Sequence, residues 1–405
     1  MWTRGSSSTS TKTEERAPLW RLGVHMSEAL ATLAGVGTSA FGKQSYDAQT
    51  LMWQAISEAL IAAECAAADI DAIFVGNVFN HAGTAQRGLL AAGFAGQPVF
   101  NVENTCASGT LAVHLAVQAV HRGDYRRVLA VGYEKMTDTI RGPLPTDPRD
   151  ADAAAGLILP AVYAMTARRY MSLYGVTAEQ LATVSVKNHL NALQNDRAQY
   201  SGDFTVAEIL DSRPIADPLT LLQCSPISDG AGAVVVTAED VGAAGAKVLS
   251  SALASARPWP TGPDQVWNYE LIERTTNESL AQASISRSDI DVIELHDAFT
   301  IGELVTLEAM GFFKPGTAGP ATEAGETAVG GRLPVNVSGG LLSRGHPLGA
   351  TGLAQIAEIA WQVQGQAGAR QLDRADIGLI ETMGGNVAGL TGNGCVVMTL
   401  AGGKQ

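Results

Sequence analysis

The chain has 405 residues, of which 46% are hydrophobic and 17% are charged, and its formal net charge is −13. This length is typical of two domains, or of one domain built from two similar halves. The acidic balance argues against nucleic acid as the main partner, and no apolar run reaches the roughly 18 residues that span a bilayer. We therefore expect a globular protein of the cytoplasm.

The four cysteines are scattered along the chain and form no CxxC pair. This pattern predicts neither a disulfide framework nor a metal site, and it fits a reducing compartment. Cys65, Cys224 and Cys395 are predicted to be small buried hydrophobic residues. The glycine-rich runs match no nucleotide-binding fingerprint, so we expect no resident cofactor.

The first 28 residues are polar, rich in Ser and Thr, and without periodicity, which predicts a disordered N-terminal extension. After residue 29, short apolar strands alternate with helical patterns. Continuous apolar strands between helices predict a mainly parallel sheet that is covered on both faces. The predicted elements in this first part are a strand and glycine loop at 29–42, a helix at 50–66, and strands at 70–79, 99–103 and 127–136.

Residues 138–217 are more polar and helical, and strand character returns at 225–238. We predict that 138–217 is an insertion lying over the sheet. An internal repeat follows it, because 69–79 and 289–299 are identical at five of eleven positions. Downstream, the strand, loop and helix order of 100–117 recurs at 335–361. The chain is therefore predicted to contain two copies of one α/β unit, with equivalent loops meeting at one site.

Cys106 lies where a predicted strand ends and a predicted helix begins. Unpaired N–H groups and the helix dipole stabilise a thiolate at such a position, and the small residues 107–109 leave room for a substrate. In the second copy, His296 ends the repeated strand and His346 precedes the repeated helix. A thiol and two imidazoles at equivalent positions predict a cysteine–histidine catalytic group.

Four stretches of the sequence resemble, in the same order, the four catalytic loops of the thiolase superfamily. The chain is most similar to the sterol carrier protein thiolases and the archaeal-type acetyl-CoA acetyltransferases. The resemblance implies a five-layered αβαβα fold, with an N-terminal half at 29–250, a C-terminal half at 251–405 and a loop domain at 138–217. The four stretches are NTCASGT (104–110), HDAF (296–299), GHPLGATG (345–352) and TMGG (382–385).

The resemblance also implies the activity, an acyl-CoA C-acyltransferase that acts by thiolysis or Claisen-type transfer. Cys106 would become acylated, His346 would accept the thiol proton, and His296 would donate to the thioester oxygen of the enolate. The N–H groups of Cys106 and Gly384 would hold the oxyanion, and Ser225 would contact the pantetheine arm. Acyl-CoA and CoA would be the substrates, and the chain would form a homodimer or homotetramer, with a protein partner possible as in archaeal-type relatives.

One departure from the family stands out. Many thiolases carry a second cysteine in the fourth loop, and some sterol carrier relatives carry one in HDCF, whereas this chain has Thr382 and Ala298. Neither residue acts as a base near neutral pH, so we expect a weakened condensation step. A non-catalytic or partner-dependent acyl-carrying subunit is the main alternative. A Cys–His thioester hydrolase is a further alternative, disfavoured because Asp297 and His296 are strand neighbours that point to opposite faces.

Two basic clusters complete the sequence-based expectations. One is Arg122 with Arg126 and Arg127, and the other is the pair Arg168 and Arg169. A solvated face is the favoured interpretation of both. Contact with the nucleotide end of CoA is the alternative, because a CoA site on so acidic a chain needs local positive charge.

Overall fold

The computed structural model describes residues 28–259 and 268–403, so the predicted extension at 1–28 lies outside the described residues except for its last position. The strands are β1 (Ala31–Thr38), β2 (Ala72–Gly76), β3 (Val99–Val102), β4 (Arg127–Lys135), β5 (Pro214–Ala216), β6 (Leu219–Thr220), β7 (Asp229–Thr237), β8 (Ala246–Ser255), β9 (Val292–Glu294), β10 (Ile377–Met383) and β11 (Gly394–Gly402). The helices are α1 (Ala48–Ala62), α2 (Thr84–Ala91), α3 (Ser108–His121), α4 (Met136–Thr139), α5 (Ala151–Ala154), α6 (Leu159–Tyr174), α7 (Ala178–Asn191), α8 (Val206–Asp211), α9 (Tyr269–Ala283), α10 (Thr300–Ala309), α11 (Ala318–Glu323), α12 (Gly340–Arg344) and α13 (Leu348–Gln364).

Nine of these strands form one sheet in the order β3-β2-β4-β7-β1-β8-β11-β10-β9. The first five strands come from the N-terminal half of the chain and the other four from the C-terminal half. They join where β1, already paired with β7, also pairs antiparallel with β8. The expected division at residue 250 falls inside β8, and the exact domain boundaries remain a prediction.

The expectation of a mainly parallel sheet is wrong, because most neighbouring strands are antiparallel. Only β2 with β3, β2 with β4, and β9 with β10 run parallel among the described strands. The strands are nevertheless apolar without alternation, since helices cover both faces of each half. Burial on both faces, rather than parallel pairing, explains the apolar runs.

The two halves of the sheet repeat one topology, which confirms the predicted duplication. In the first half β2 lies parallel between β3 and β4, and in the second half β9 lies parallel between β10 and a bridge at Val335. The sheet then continues antiparallel from β4 through β7 to β1 in the first half, and from β10 through β11 to β8 in the second half.

Five layers result from this arrangement, as predicted. Helices α3 and α13 pack against each other and contact strands of both halves, so they form the central layer. Helix α1 covers the outer face of the first half together with α2, and α9 covers that of the second half together with α10. Helix α13 is buried along nearly its whole length, as its central position requires.

The chain between β4 and β7 forms a separate group of elements beside the central layers. It contains α4 to α8 and the small two-stranded sheet of β5 and β6. Helix α7 packs against α10, α11 and α12, which places this segment over the loops of the second half. The predicted loop domain at 138–217 falls within it.

The cysteines outside the predicted site are less uniformly buried than expected. Cys395 is fully buried in β11, as predicted, whereas Cys65 and Cys224 are only half-buried. Cys65 follows α1 on the outer layer, and Cys224 borders a cavity described below. Within the described ranges, none of the helices combines the length and apolarity that crossing a bilayer requires.

Candidate active site

Cys106 lies in a single 3₁₀ turn that leads directly into α3. Its neighbour Thr105 has a φ of +43°, a left-handed conformation that a β-branched residue adopts only where its surroundings enforce it. The hydroxyl of Ser108 accepts from the N–H of Asn104 (2.9 Å) and donates to the carbonyl of Thr105 (2.6 Å). The Thr105 hydroxyl in turn donates to the carbonyl of Gly384. These contacts hold the sulfur at the N-terminal end of α3.

His346 lies two residues before α13, and a hydroxyl fixes its tautomer. Thr351 Oγ1 donates to the carbonyl of Pro347 (3.0 Å) and lies 2.7 Å from Nδ1 of His346. Because the hydroxyl proton is already used, Oγ1 accepts from Nδ1–H. Nε2 therefore carries the lone pair, and within the described residues it has no hydrogen-bond partner. The imidazole is held in the form that accepts a proton at Nε2.

His296 follows β9, and its backbone N–H donates to Oε2 of Glu381 (3.0 Å). Its ring lies 5.0 Å from the ring of His346, with the two planes at 80°. One donor atom from each of Cys106, His296 and His346 lies within 4.8 Å of the others. The structure thus brings the three sequence-predicted side chains together.

A buried ion pair connects the chain segments that carry the two histidines. Nη1 of Arg344, two residues before His346, lies 3.3 Å from Oε2 of Glu294, two residues before His296. Both side chains are buried. The relative position of the two imidazoles is therefore coupled to this pair.

Asp297 makes a second connection between the same segments. Its carboxylate accepts from the N–H of Leu341 (2.7 Å) at the start of α12 and from Nδ2 of Asn188 (2.7 Å) in α7. It orients neither imidazole, which agrees with the expectation that Asp297 points away from the site. The group that orients the base is instead the hydroxyl of Thr351.

Burial dominates the electrostatics of the site. It raises the pKa of the Cys106 thiol to about 12 and lowers the pKa of His296 to about 3. It also holds the pKa of His346 well below its usual value, with the charges of His296 and Arg344 acting in the same direction. Burial therefore favours a neutral thiol beside two neutral imidazoles, and it opposes the helix terminus, which favours the thiolate. A thiolate at Cys106 stays a prediction.

A cavity of about 510 Å³ reaches the site from the surface. His346, Ala298 and Ser225 lie in its wall, and the N–H of Ser225 donates to the carbonyl of Ala298 (2.9 Å). Most of the remaining lining is apolar. Ser225 is thus placed along the cavity, where its contact with a pantetheine arm remains a prediction.

The sulfur of Cys106 lies immediately behind the cavity wall. Cys106 is only 3% exposed and packs against Met136, Ile140 and Leu348, all of which line the cavity. His346, by contrast, borders the cavity directly.

The backbone N–H of Gly384, the second expected oxyanion donor, already makes a hydrogen bond within the protein. It donates to the carbonyl of Gly394 at 2.7 Å, which extends the β10–β11 pairing by one step. Thr382 is buried, and its hydroxyl donates to Oε1 of Gln355 (2.8 Å) in α13. With Ala298 offering only a methyl group, neither position that holds a second cysteine in relatives supplies a base.

In the first basic cluster, Arg126 and Arg127 pair with Glu239 (2.6 and 3.1 Å) at the start of β4, whereas His296 follows the carboxyl end of a strand. A contact of this cluster with CoA stays a prediction. In the second cluster, Arg168 pairs with Asp217. Two other exposed arginines, Arg141 and Arg213, border the cavity itself.

Sequence reasoning missed three buried carboxylates around the site, Glu134, Glu294 and Glu381. Glu134 accepts from the backbone N–H of Phe79 (2.9 Å) and of Gly349 (3.1 Å), so it joins the two halves. Burial raises the pKa of each of the three to about 7. The signal in the sequence is a single acidic residue within or at the end of an apolar strand. Such a residue is buried with the strand and therefore requires hydrogen-bond or charged partners.

Comparison with known proteins identifies the family of both halves of the chain. Residues 30–240 match the family model "Thiolase, N-terminal domain", and residues 263–391 match "Thiolase C-terminal domain-like". An acetyl-CoA acetyltransferase of Methanothermobacter thermautotrophicus is 42% identical over 78% of this chain and 86% of its own length. Sterol carrier protein 2 of Rattus norvegicus is 33% identical over 87% of this chain and 69% of its own length. The benzoylsuccinyl-CoA thiolase subunit BbsB of Thauera aromatica is 36% identical over 84% and 91%.

Solved structures agree with these sequence matches. The Ltp2-ChsH2(DUF35) aldolase gives a TM-score of 0.77 at 25% identity and covers 93% of this chain and 98% of the matched chain. Human mitochondrial 3-ketoacyl-CoA thiolase gives 0.70 at 16% identity, covering 93% and 100%, and shows the shared fold. The convergence of Cys106 with two histidines at the loops that the sequence identified agrees with both comparisons, and this chain belongs to the thiolase family.

Proposed function

We propose that the chain is an acyl-CoA C-acyltransferase that works through an acyl thioester on Cys106. The observation that carries the proposal is the convergence of Cys106, His296 and His346 within 4.8 Å beside a cavity that opens to solvent. Relatives that bear the names acetyl-CoA acetyltransferase and benzoylsuccinyl-CoA thiolase support the same class of enzyme.

The acylation step follows from the geometry of the base. Nε2 of His346 takes the proton of the Cys106 thiol, and the sulfur attacks the carbonyl carbon of the bound thioester. The carbon–sulfur bond to CoA breaks, and the CoA sulfur leaves with the proton that His346 holds. A new thioester on Cys106 results, with no net change in charge.

Groups at the start of α3 are proposed to stabilise the oxyanion of the tetrahedral intermediate. The N–H of Cys106 lies in the first turn, where a helix lacks internal acceptors. His296 has a donor atom within 4.8 Å of the sulfur and is proposed to donate to the thioester oxygen of the second substrate. Each such donor is typically worth about 10²–10³ in rate.

The carbon–carbon step is proposed to be weakened in both directions. Condensation requires a base for the α-proton of the second acyl-CoA, and the positions of Thr382 and Ala298 supply none. Thiolysis of a 3-oxoacyl-CoA passes through the same step in reverse, in which the carbon–carbon bond breaks and the conjugate acid of that base protonates the departing enolate. The residues present therefore support transfer of an acyl group between CoA and Cys106 more strongly than making or breaking a carbon–carbon bond.

Intact-protein mass spectrometry after mixing with a panel of acyl-CoAs tests the acylation step. We expect a mass gain equal to one acyl group, lost in Cys106→Ala and kept in Cys65→Ala. The Cys65 variant removes a half-buried thiol outside the site and controls for nonspecific transfer. Absence of a gain with every donor contradicts the proposal and favours a non-catalytic subunit.

Cleavage of acetoacetyl-CoA in the presence of CoA, compared with its synthesis from acetyl-CoA, tests the weakened condensation. We expect both cleavage and synthesis to be slow compared with acylation of Cys106, because the two directions share one carbon–carbon step. Cleavage and synthesis at the rates usual for a thiolase contradict the idea. The Cys65→Ala variant serves again as the control.

A partner-dependent role is the second candidate, and one observation favours it. The solved structure with a TM-score of 0.77 is that of a complex with a DUF35 protein, and one relative is named a thiolase subunit. We propose that this chain also works with a protein partner that completes the second half-reaction. Recovery of a co-purifying protein that raises the condensation rate supports the idea, and full activity of the isolated chain contradicts it.

Self-association is proposed through the edge of the sheet. Strand β3 is the outermost strand of the first half, and its Phe100 is 41% exposed while stacking on Phe74 at 4.7 Å. An exposed edge strand with an aromatic side chain offers unpaired backbone groups to a second copy. Light scattering on the wild type and on Phe100→Glu tests for a homo-oligomer, and an unchanged mass contradicts this interface.

A further inference from the structure

We propose that Cys106, His296 and His346 form a binding site for a soft divalent cation such as Zn²⁺, and that its occupation blocks acyl transfer. The inference rests on the proposed function only for its inhibitory consequence, because the metal would take the same sulfur that carries the acyl group. The three donor atoms lie within 4.8 Å of one another, and all three residues are buried.

The donor set and spacing fit this class of ion. One thiolate and two imidazoles are ligands that Zn²⁺ uses, and three protein ligands with an open fourth position are typical of accessible zinc sites. Zinc bonds of about 2.0–2.3 Å in a tetrahedron place the donors roughly 3.3–3.7 Å apart. Drawing the three groups together by about 1 Å meets that requirement.

Two unpartnered nitrogens point to a missing ligand. Nε2 of His346 and Nδ1 of His296 are both buried, and neither has a hydrogen-bond partner within the described residues. The tautomer of His346 is already fixed with its lone pair on Nε2 by the hydroxyl of Thr351. A metal-bound imidazole characteristically donates its other N–H to such an acceptor.

Binding of the cation in exchange for the thiol proton balances in charge and atoms. The thiol of Cys106 releases one proton to solvent, its sulfur and the two imidazoles donate electron pairs to the cation, and one water completes the coordination. The resulting centre carries one positive charge. Glu134 and Glu103 supply negative charge near the sulfur, while the cation of Arg344 opposes the metal and is offset by Glu294.

Cobalt titration of the chelator-treated full chain tests the site directly. We expect one Co²⁺ per chain, a near-ultraviolet thiolate-to-cobalt charge-transfer band, and the visible bands of tetrahedral coordination. Cys106→Ser abolishes the charge-transfer band, and His296→Gln and His346→Gln weaken binding. Thr351→Val, which removes only the outer partner, weakens it about 10–100-fold. Cys65→Ala and His114→Gln serve as controls, because both lie outside the site, and leave the bands unchanged.

A second measurement needs no substitution. Methylthiolation of Cys106 in the folded wild type, verified by mass, is expected to remove the cobalt bands. In a separate experiment on the unmodified protein, Zn²⁺ is expected to inhibit acyl transfer, and a chelator is expected to restore the activity. Cobalt bands that persist after this treatment, or their absence from the untreated wild type, overturn the proposal. Loss of acylation with intact bands contradicts only the proposed function, and acylation without bands contradicts only the metal site.

Discussion

The two halves of the molecule place different chemistry at the same structural position. Cys106 lies two residues before α3 and His346 lies two residues before α13, and these equivalent helices pack against each other in the central layer. Duplication thus brings two equivalent loops together, and divergence makes one a nucleophile and the other its base.

The halves differ in how they fix these loops. The first half uses a short turn with a left-handed Thr105 and a hydroxyl cap from Ser108. The second half adds α12 and locks it with the buried pair Glu294–Arg344 and with Asp297. The nucleophile loop is therefore held by hydroxyl hydrogen bonds, whereas the segments that carry the histidines are joined by buried charges.

The largest expected effect comes from removing the nucleophile of the first half. Cys106→Ala is expected to lower kcat for acyl transfer by at least about 10⁴-fold, since without the thiol no acyl-enzyme forms. Steady-state thiolysis with acetoacetyl-CoA measures it, with Cys65→Ala as the matched control. If Cys106→Ala kept more than a hundredth of the wild-type rate, the first half would not supply the nucleophile, and the proposed difference between the two halves would be wrong.

Removing the base of the second half is expected to have the next largest effect. His346→Gln should lower the acylation rate about 10²–10⁴-fold, the usual contribution of general acid–base catalysis. Thr351→Val should lower the same rate less, and Thr351→Ser should restore it, because the serine hydroxyl can still hold Nδ1–H. Rapid-mixing measurement of the acyl-enzyme separates these effects from binding. An equal loss in the valine and serine variants argues against the hydroxyl as the orienting group.

The fold was more predictable from the sequence than the way the site is held. Identical residues at 69–79 and 289–299 revealed the duplication, and strand and helix ends located Cys106, His296 and His346. Pairing direction was mispredicted, because burial on both faces produces the same apolar run in parallel and antiparallel strands. The supporting contacts were beyond sequence reasoning, since Glu294 and Arg344 lie fifty residues apart and nothing local marks them as partners.

The same limit applies to the electrostatics and to Gly384. A helix terminus favours a thiolate at Cys106, whereas the burial that opposes it comes from packing with Met136, Ile140 and Leu348. The N–H of Gly384 is assigned to the oxyanion by resemblance, and its hydrogen bond to Gly394 depends on how far β10 and β11 continue to pair. Both features depend on tertiary surroundings rather than on residue type.

The buried pair of the second half provides the third prediction. Glu294→Gln or Arg344→Met should each lower the free energy of unfolding by about 3–5 kcal/mol, because the remaining partner is left buried without compensation. The double variant should recover part of this loss. Urea denaturation at pH 8, where Glu294 is ionised, measures the effect. A surface pair such as Arg122 with Asp124 is the control, and a similar loss there would falsify the special role of the buried pair.

The fourth prediction separates the two histidines. His296→Ala should leave formation of the acyl-enzyme within about tenfold of wild type, yet lower the second half-reaction about 10²–10³-fold through loss of one oxyanion donor. Single-turnover acylation and steady-state turnover on the same variant give the two numbers. Equal losses in both steps contradict the assignment of distinct roles.

The smallest effect is expected from the insertion that only the first half carries. Arg141 and Arg213 border the cavity, are exposed, and are the cavity's positive charges on a chain of net charge −13. If they attract the phosphates of CoA, the variant Arg141→Gln/Arg213→Gln should raise KM for acyl-CoA about tenfold and leave kcat unchanged. The difference from wild type should shrink at high salt, because exposed charges are screened. Arg126→Gln, just before the start of β4, is the matched control. If this variant raised KM equally, the overall charge of the chain, and not the insertion unique to the first half, would attract the substrate.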